Sequence, residues 1–95
     1  MTSKELKAKM GFTRKLDLHQ VRRWLTDHSY EMKVMVQAER WACKTGRFCG
    51  EWEMQLDRMS PSQYISLVVK AHNLVSEINY FSQVNAVNAW RKVLS

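Results

Sequence analysis

From Ser60 to Ser95 the chain reads SPSQYISLVVKAHNLVSEINYFSQVNAVNAWRKVLS, and this stretch is the most informative part of the sequence. Ser60 predicts a helix N-cap, and Pro61 suits the first helical position because no N–H is needed there. Gln63 completes a capping box three residues after Ser60. No Gly or Pro follows in this stretch. The pattern therefore predicts one long helix from Pro61 to about Leu94.

This predicted helix is apolar on two faces. The first face comprises Tyr64, Leu67, Val68, Ala71, Leu74, Val75 and Ile78, and a second face opposite it comprises Tyr80, Val84, Val87 and Leu94. Between Ala71 and Trp90 the only charged side chain is Glu77. A solvated helix normally carries charge on its outer face, so this segment is expected to be covered on more than one side.

The length of the predicted helix leads to the same expectation. A helix of about 33 residues is about 50 Å long, whereas a compact chain of this size is about 30–35 Å across. Either the helix bends near Ser82 or a second chain covers its far half. We expect a homo-oligomer. The predicted interface residues are Tyr80, Phe81, Val84, Val87, Trp90 and Leu94.

Two further helices are predicted nearer the N-terminus. Asp17 and Gln20 form a second capping-box pattern, which starts a helix that ends near residues 27–28. Ser29 is the next predicted N-cap, and the helix after it spans 30–45. Its predicted apolar stripe consists of Tyr30, Val34, Ala38 and Trp41.

The whole chain is predicted to be a single all-α domain. Its 95 residues are enough for one domain, and one Pro with three Gly favours helices over a turn-rich β fold. A shorter helical segment is predicted over 47–59, and 1–12 are predicted to be a mobile basic arm or one or two helical turns. The expected architecture is therefore a small bundle of about four helices with a long C-terminal helix.

The positive charge is confined to one half of the sequence. The net charge is +6, and residues 1–50 hold eleven Lys or Arg against five Asp or Glu, while the rest is neutral. A basic half joined to a neutral, apolar half indicates one surface for polyanions and another for packing. The alternative that stays open is that the charge only keeps a small protein soluble.

The strongest candidate site lies on the helix over 30–45. Lys33, Gln37, Arg40 and Lys44 are spaced 4, 3 and 4 residues apart, which aligns them on one helical face. Lys and Arg bind phosphate, and Gln also reads base edges. The predicted nucleic-acid-binding residues are Arg14, Lys15, Arg22, Arg23, Lys33, Gln37, Arg40 and Lys44.

The helices within 17–45 also resemble a loose helix-turn-helix, although the likeness is generic. A solvated helix face with no binding role remains an alternative for the same residues. The sequence itself does not decide between them.

Patterns for metal, cofactor or catalytic chemistry are weak. The sequence contains two Cys and three His, without the short paired spacing of a zinc site. It also lacks a Gly-rich phosphate loop and a recognisable arrangement of nucleophile and base. We therefore expect a protein that is not an enzyme and that carries no metal or cofactor.

Localisation is predicted from what the sequence lacks. Residues 1–12 do not resemble a secretory signal, and no run of 18 apolar residues occurs. Two Cys are too few for a secreted disulfide framework. We expect a cytoplasmic protein with no membrane association.

Two functions fit these observations. The first is a small regulatory protein whose basic half contacts nucleic acid and whose C-terminal helix mediates self-association. The second is a protein-binding adaptor or inhibitor, such as a phage-type antagonist, that engages an acidic partner protein.

Overall fold

In a computed structural model, which describes residues 1–45, 51, 54–55, 58–78 and 81–94, the chain is helical. Five helices are defined in this part of the chain, which contains no strand. They are α1 (Ser3–Met10), α2 (Leu18–His28), α3 (Tyr30–Thr45), α4 (Pro61–Ser76) and α5 (Gln83–Leu94). The Cα radius of gyration is 12.5 Å. The predicted all-α class is confirmed.

The predicted helix starts are confirmed by their caps. Asp17 Oδ1 accepts a hydrogen bond from Gln20 N–H at 2.8 Å, and the Gln20 side chain accepts from Asp17 N–H at 2.9 Å. Ser60 and Gln63 form the same reciprocal pair at the start of α4. These caps satisfy backbone donors that a helix leaves free at its first turn, which explains why the starts are readable from local sequence.

The predicted single C-terminal helix is corrected to two helices. α4 ends at Ser76 and α5 begins at Gln83. Ser82 Oγ accepts from Asn85 N–H at 3.1 Å, as an N-cap does. α5 packs against both α4 and α3, so apolar faces of the two C-terminal helices are covered within one chain. The long protruding helix that led us to expect a homo-oligomer is thereby replaced, and self-association stays a prediction.

Of the two alternatives predicted for 1–12, a mobile arm or one or two helical turns, the structure has the helix, and this helix is docked. α1 packs against α4, and its Leu6 side chain is only 1% exposed. Gly11 ends α1 in the left-handed conformation, with φ 65°, which Gly adopts without strain. Lys7 Nζ donates a hydrogen bond to Ser62 Oγ on α4. Burial of Leu6 is the main reason that this short helix lies against the rest of the fold.

The helix count therefore differs from the predicted four, because α1 is added and the C-terminal helix is divided. The helix predicted over 47–59 lies largely outside the described residues. Among the helices that the structure describes, none has both the length and the hydropathy to cross a membrane.

α3 is the central helix, because it packs against α2, α4 and α5. Its buried side chains are Met32, Val34, Met35, Val36, Ala38, Glu39, Ala42 and Cys43. The predicted apolar stripe was correct for Val34 and Ala38, which are buried. It was wrong for Tyr30 and Trp41, which are 76% and 54% exposed. The buried face of α3 is centred near Met35 and Glu39, and Val34 and Ala38 lie at its edge.

Candidate functional site

Six exposed residues form one strip along α3, which we call the outer strip. Its members are Tyr30, Lys33, Gln37, Arg40, Trp41 and Lys44. At 3.6 residues per turn, they fall within an arc of about 100°. All other residues from Met32 to Cys43 are buried. Outside this arc, Glu31 is the one other exposed side chain among the α3 residues whose exposure the structure describes.

The outer strip contains three cations and no acidic side chain. The two carboxylates of α3 lie elsewhere: Glu31 Oε2 is 2.8 Å from His72 Nε2 on α4, and Glu39 is 1% exposed. The positive charge of the strip is therefore not cancelled by its own helix. As predicted, Lys33, Gln37, Arg40 and Lys44 share one face, while their binding role stays a prediction.

The two aromatic residues of the outer strip were assigned to the core by sequence reasoning. On a helical wheel, Tyr30 and Trp41 are only about 20° apart, and both border the arc of the three cations. The sequence thus places both rings next to the cations on any helix, but it does not show which side of α3 is covered. Because each aromatic ring is more than half exposed, the strip combines cations with accessible aromatic surfaces.

A groove lies beside Trp41, between α3 and α5. Its volume is about 320 Å³, and its lining residues are Trp41, Gln83, Val84, Val87, Asn88 and Arg91. These side chains provide an aromatic ring, an apolar wall, two amides and one guanidinium, without a carboxylate among them. Apolar walls with a few polar groups are typical of binding sites, and the volume lies within their usual range. Gln83, Asn88 and Arg91 were not predicted to lie near Trp41, because their proximity requires α5 to pack against α3.

Arg22 is not part of this surface, which corrects its prediction as a nucleic-acid contact. Its Nη2 atom lies 2.5 Å from Glu39 Oε1, and Tyr64 Oη donates to Glu39 Oε2 at 2.9 Å. The Arg22 guanidinium also lies over the Tyr64 ring, 5.1 Å from its centroid. Because Glu39 is buried, it needs this cation, and Arg22 turns inward to reach it.

The pKa values of Tyr64 and Arg22 are both raised in the inner cluster that these residues form with Glu39. Burial raises the pKa of the Tyr64 phenol, and the Glu39 carboxylate adds to the rise, while Arg22 opposes it. Burial lowers the pKa of Arg22, but Glu39 and Tyr64 outweigh this effect, so its net shift is upward. Tyr64 therefore stays a neutral donor and Arg22 a cation at physiological pH. The cluster is suited to anchoring helices rather than to exchanging protons.

The other predicted basic residues lie on different elements. Arg14 and Lys15 are exposed in the segment between α1 and α2, and Arg23 is exposed on α2. Of the eight predicted nucleic-acid-binding residues, the structure thus brings four together on α3. Three are exposed elsewhere, and Arg22 is partly buried in its pair with Glu39.

The predicted interface residues are largely used within the chain. Trp90 is fully buried, and its Nε1–H donates to Met35 O at 2.8 Å, so its assignment to an interface between chains is corrected. Phe81, Val87 and Leu94 are partly buried against the core, and Val84 is 69% exposed. Tyr80 lies outside the described residues. These interface residues are largely covered because α5 packs its apolar face against α3 and α4.

The helix-turn-helix expectation also changes. α2 ends at His28 and α3 begins at Tyr30, so a single residue, Ser29, joins them. A helix-turn-helix uses a turn of about 3–4 residues. Moreover, α3 packs against three helices, which leaves its sides covered rather than free to enter a major groove. The pair α2–α3 therefore does not reproduce that motif.

Within the described part of the chain, no three His, Cys, Asp or Glu side chains are grouped so that they could hold a metal ion. Comparisons with protein-family models, with curated proteins and with solved structures found no match to this chain. Its function is therefore argued from its own residues.

Proposed function

We propose that this protein is a small regulatory, non-enzymatic protein that binds nucleic acid through the outer strip of α3. The observation that carries the proposal is the composition of that strip: three cations, one amide and two exposed aromatic rings within about 100° of one helix. Lys and Arg contact phosphates, Gln hydrogen-bonds to bases, and aromatic rings stack on them.

The charge distribution supports this proposal. The net charge is +6, and the outer strip belongs to the half of the sequence that holds the whole excess. A positive face of this kind attracts polyanions over distances comparable to the Debye length, about 8–10 Å at ordinary salt. The side chains of the strip are suited to contacting and orienting a nucleic acid, and we assign no reaction to them.

The test is a salt-dependent binding titration with a matched charge variant. Fluorescence anisotropy of labelled single-stranded and duplex oligonucleotides is measured at several salt concentrations. For the variant Lys33→Glu/Arg40→Glu/Lys44→Glu, we expect loss of binding at moderate salt. Where binding is still measurable at low salt, the slope of log K against log salt should fall by about two to three.

The matched control reverses three exposed cations outside the outer strip, Lys4→Glu/Lys9→Glu/Lys70→Glu. It has the same net charge as the strip variant, so steering by net charge is equal in both. We expect the control to retain most of the affinity. Equal losses in both variants would remove α3 as the site, and no binding to any oligonucleotide at low salt would overturn the proposed function.

A second candidate is an adaptor or inhibitor that binds an acidic partner protein. The observation that favours it is Val84, which is 69% exposed beside the groove at Trp41. Exposed apolar side chains next to a Trp and an Arg are common at protein interfaces. Light scattering of the wild type and of Val84→Asp tests self-association. Self-association belongs to the first function: a dimer mass that becomes monomeric in the variant would support self-association through α5, and a monomeric wild type would overturn it.

A further inference from the structure

We infer that the nucleic acid is bound as an unpaired strand, with one base held in the groove between Trp41 and α5. This inference rests on the proposed function and names the form of nucleic acid that the outer strip takes. It follows from the groove's shape and chemistry rather than from the net charge.

The aromatic wall of the groove is suited to stacking. The Trp41 side chain is 54% exposed and forms one wall of the groove of about 320 Å³. Indole rings stack on unpaired bases of any sequence, because every base has a π face. In a duplex, each base is already stacked between its neighbours, so this surface would stay unused.

The opposite side of the groove provides groups for a base edge. Gln83 and Asn88 each carry an amide with both donors and an acceptor, and Val84 and Val87 give an apolar surface between them. Proteins that recognise unpaired strands combine these features: an aromatic or guanidinium plane for stacking and polar side chains for the exposed edge.

Phosphate-binding groups lie next to the same groove. Lys44 is three residues after Trp41 and Gln37 is four residues before it, so their Cβ atoms lie about 5–6 Å from that of Trp41 on the same face. Arg91 is itself a lining residue. A base stacked on Trp41 would therefore have its flanking phosphates within reach of cations on both sides of the groove.

The charge and geometry favour this occupant over others. The groove and the outer strip contain cations and amides without a carboxylate, which matches a strand of alternating phosphates and bases. An apolar helix from a partner would leave the two amides of the groove without hydrogen-bond partners. Reading a duplex through its major groove would require a projecting helix, whereas the sides of α3 are covered by its neighbours.

The experiment compares four ligands at one salt concentration: a single-stranded DNA oligonucleotide, its RNA equivalent, the DNA duplex, and the DNA strand with abasic sites. The full chain is used throughout. We expect a single strand to bind at least about tenfold tighter than the duplex and the abasic strand, since both lack an accessible base. The DNA and RNA arms distinguish the two sources of an unpaired strand.

Variants of the groove locate the base. We expect Trp41→Ala to weaken single-strand binding by about 5- to 150-fold, the range for loss of one stacked base, and Trp41→Phe to lose less. Asn88→Asp places a negative charge at an exposed position of the groove and should also weaken binding. Ile78→Ala, which removes an exposed apolar side chain outside the groove, serves as control. Circular dichroism melts verify that each variant is folded.

A spectroscopic readout is independent of affinity. Addition of the single strand should quench Trp emission of the wild type, and this change should be missing from Trp41→Phe at saturating strand, because stacking on a base quenches the indole. The other three Trp residues remain in both proteins.

The outcomes separate this inference from the proposed function. If the abasic strand or the duplex binds as tightly as the intact strand while the three cations of the outer strip are still required, the unpaired-base inference is overturned and the proposed function stands. If two copies of this chain cover the groove while the outer strip still binds nucleic acid, only the unpaired-base inference is overturned. If the chain binds an acidic apolar peptide and no nucleic acid, both are overturned.

Discussion

The two faces of α3 differ in whether their charged side chains are paired with opposite charges. On the inner face, the Glu39 carboxylate is 1% exposed and is bonded to both Arg22 and Tyr64. On the outer strip, three cations occupy an exposed arc that contains no acidic residue. The same helix therefore carries one charge that is compensated inside the fold and several that its own strip leaves uncompensated.

The two kinds of charge differ in how much they affect the stability of the fold. A buried charge persists in a fold only with partners, because removing it from water without them costs several kcal/mol. Exposed like charges on one face slightly destabilise a helix, by about 0.2–0.5 kcal/mol for each neighbouring pair. The inner charges are therefore explained by the fold itself, whereas the outer ones are not needed for its stability.

The largest expected effect comes from breaking the inner ion pair. Arg22→Met should lower the free energy of unfolding by about 3 kcal/mol, the lower end for a buried pair, because the Arg22 side chain is 23% exposed. The double variant Arg22→Met/Glu39→Leu should recover much of this loss, since no buried carboxylate is left without its cation. Urea denaturation measures both. A double variant as unstable as Arg22→Met would contradict an electrostatic origin.

A smaller effect is expected from the hydroxyl of the inner face. Tyr64→Phe removes the donor to Glu39 Oε2 and should destabilise the protein by about 1–3 kcal/mol, because that buried oxygen loses a partner. Tyr30→Phe is the matched control, since it removes the same group from the outer strip, where the side chain is 76% exposed. Equal destabilisation by the two variants would contradict the assignment of Tyr64 to a buried network.

The inner face should also produce an alkaline limit of stability. The folded protein raises the pKa of Tyr64 above the usual value of 10.0. The folded chain then holds this proton more tightly than the unfolded chain does. The contribution of Tyr64 to the free energy of unfolding is therefore complete below about pH 10 and decreases as the pH rises further. Urea titrations at intervals of about one pH unit between about pH 8 and 11 should show this decrease in the free energy of unfolding. The decrease should be smaller in Tyr64→Phe. An identical pH profile in Tyr64→Phe would contradict this cause.

The smallest effect on stability is expected from the outer strip. Single substitutions Lys33→Ala, Gln37→Ala and Lys44→Ala should each change the free energy of unfolding by less than about 0.5 kcal/mol, as is usual for surface positions. The same variants should weaken nucleic-acid binding in the anisotropy titration. A large loss of stability in any of them would show that the outer strip serves the fold, and the contrast between the two faces would disappear.

Local sequence was sufficient for the helix starts and insufficient for the turn between the last two helices. The pairs Asp17–Gln20 and Ser60–Gln63 form caps from residues three positions apart, so no distant partner is needed. Ser82 also caps α5, but no Gly or Pro accompanies it, and the apolar pattern continues past it. The division of the helix depends on α5 packing back on α3 and α4, which local propensity does not encode.

The candidate site was predictable in part for a similar reason. The spacing of Lys33, Gln37, Arg40 and Lys44 places them on one face of any helix. Which aromatic residues join them depends on the side from which α2, α4 and α5 approach α3. The roles of Arg22 and Glu39 also required the fold, because their atoms meet only when α2 packs on α3. Glu39 lies four residues after Met35 and three before Ala42, so it shares a helical face with apolar residues. This spacing was the available signal for a buried ion pair.

By itself, the sequence determined an all-α chain, the starts of α2, α3 and α4, and a row of cations along α3, because caps and helical spacing act over three to four residues. Only the tertiary structure decided that the C-terminal segment is two helices, that Trp90 is internal while Trp41 is exposed, and that Trp41 shares a groove with α5. These features depend on which helix faces meet, and burial is a property of the whole packed chain.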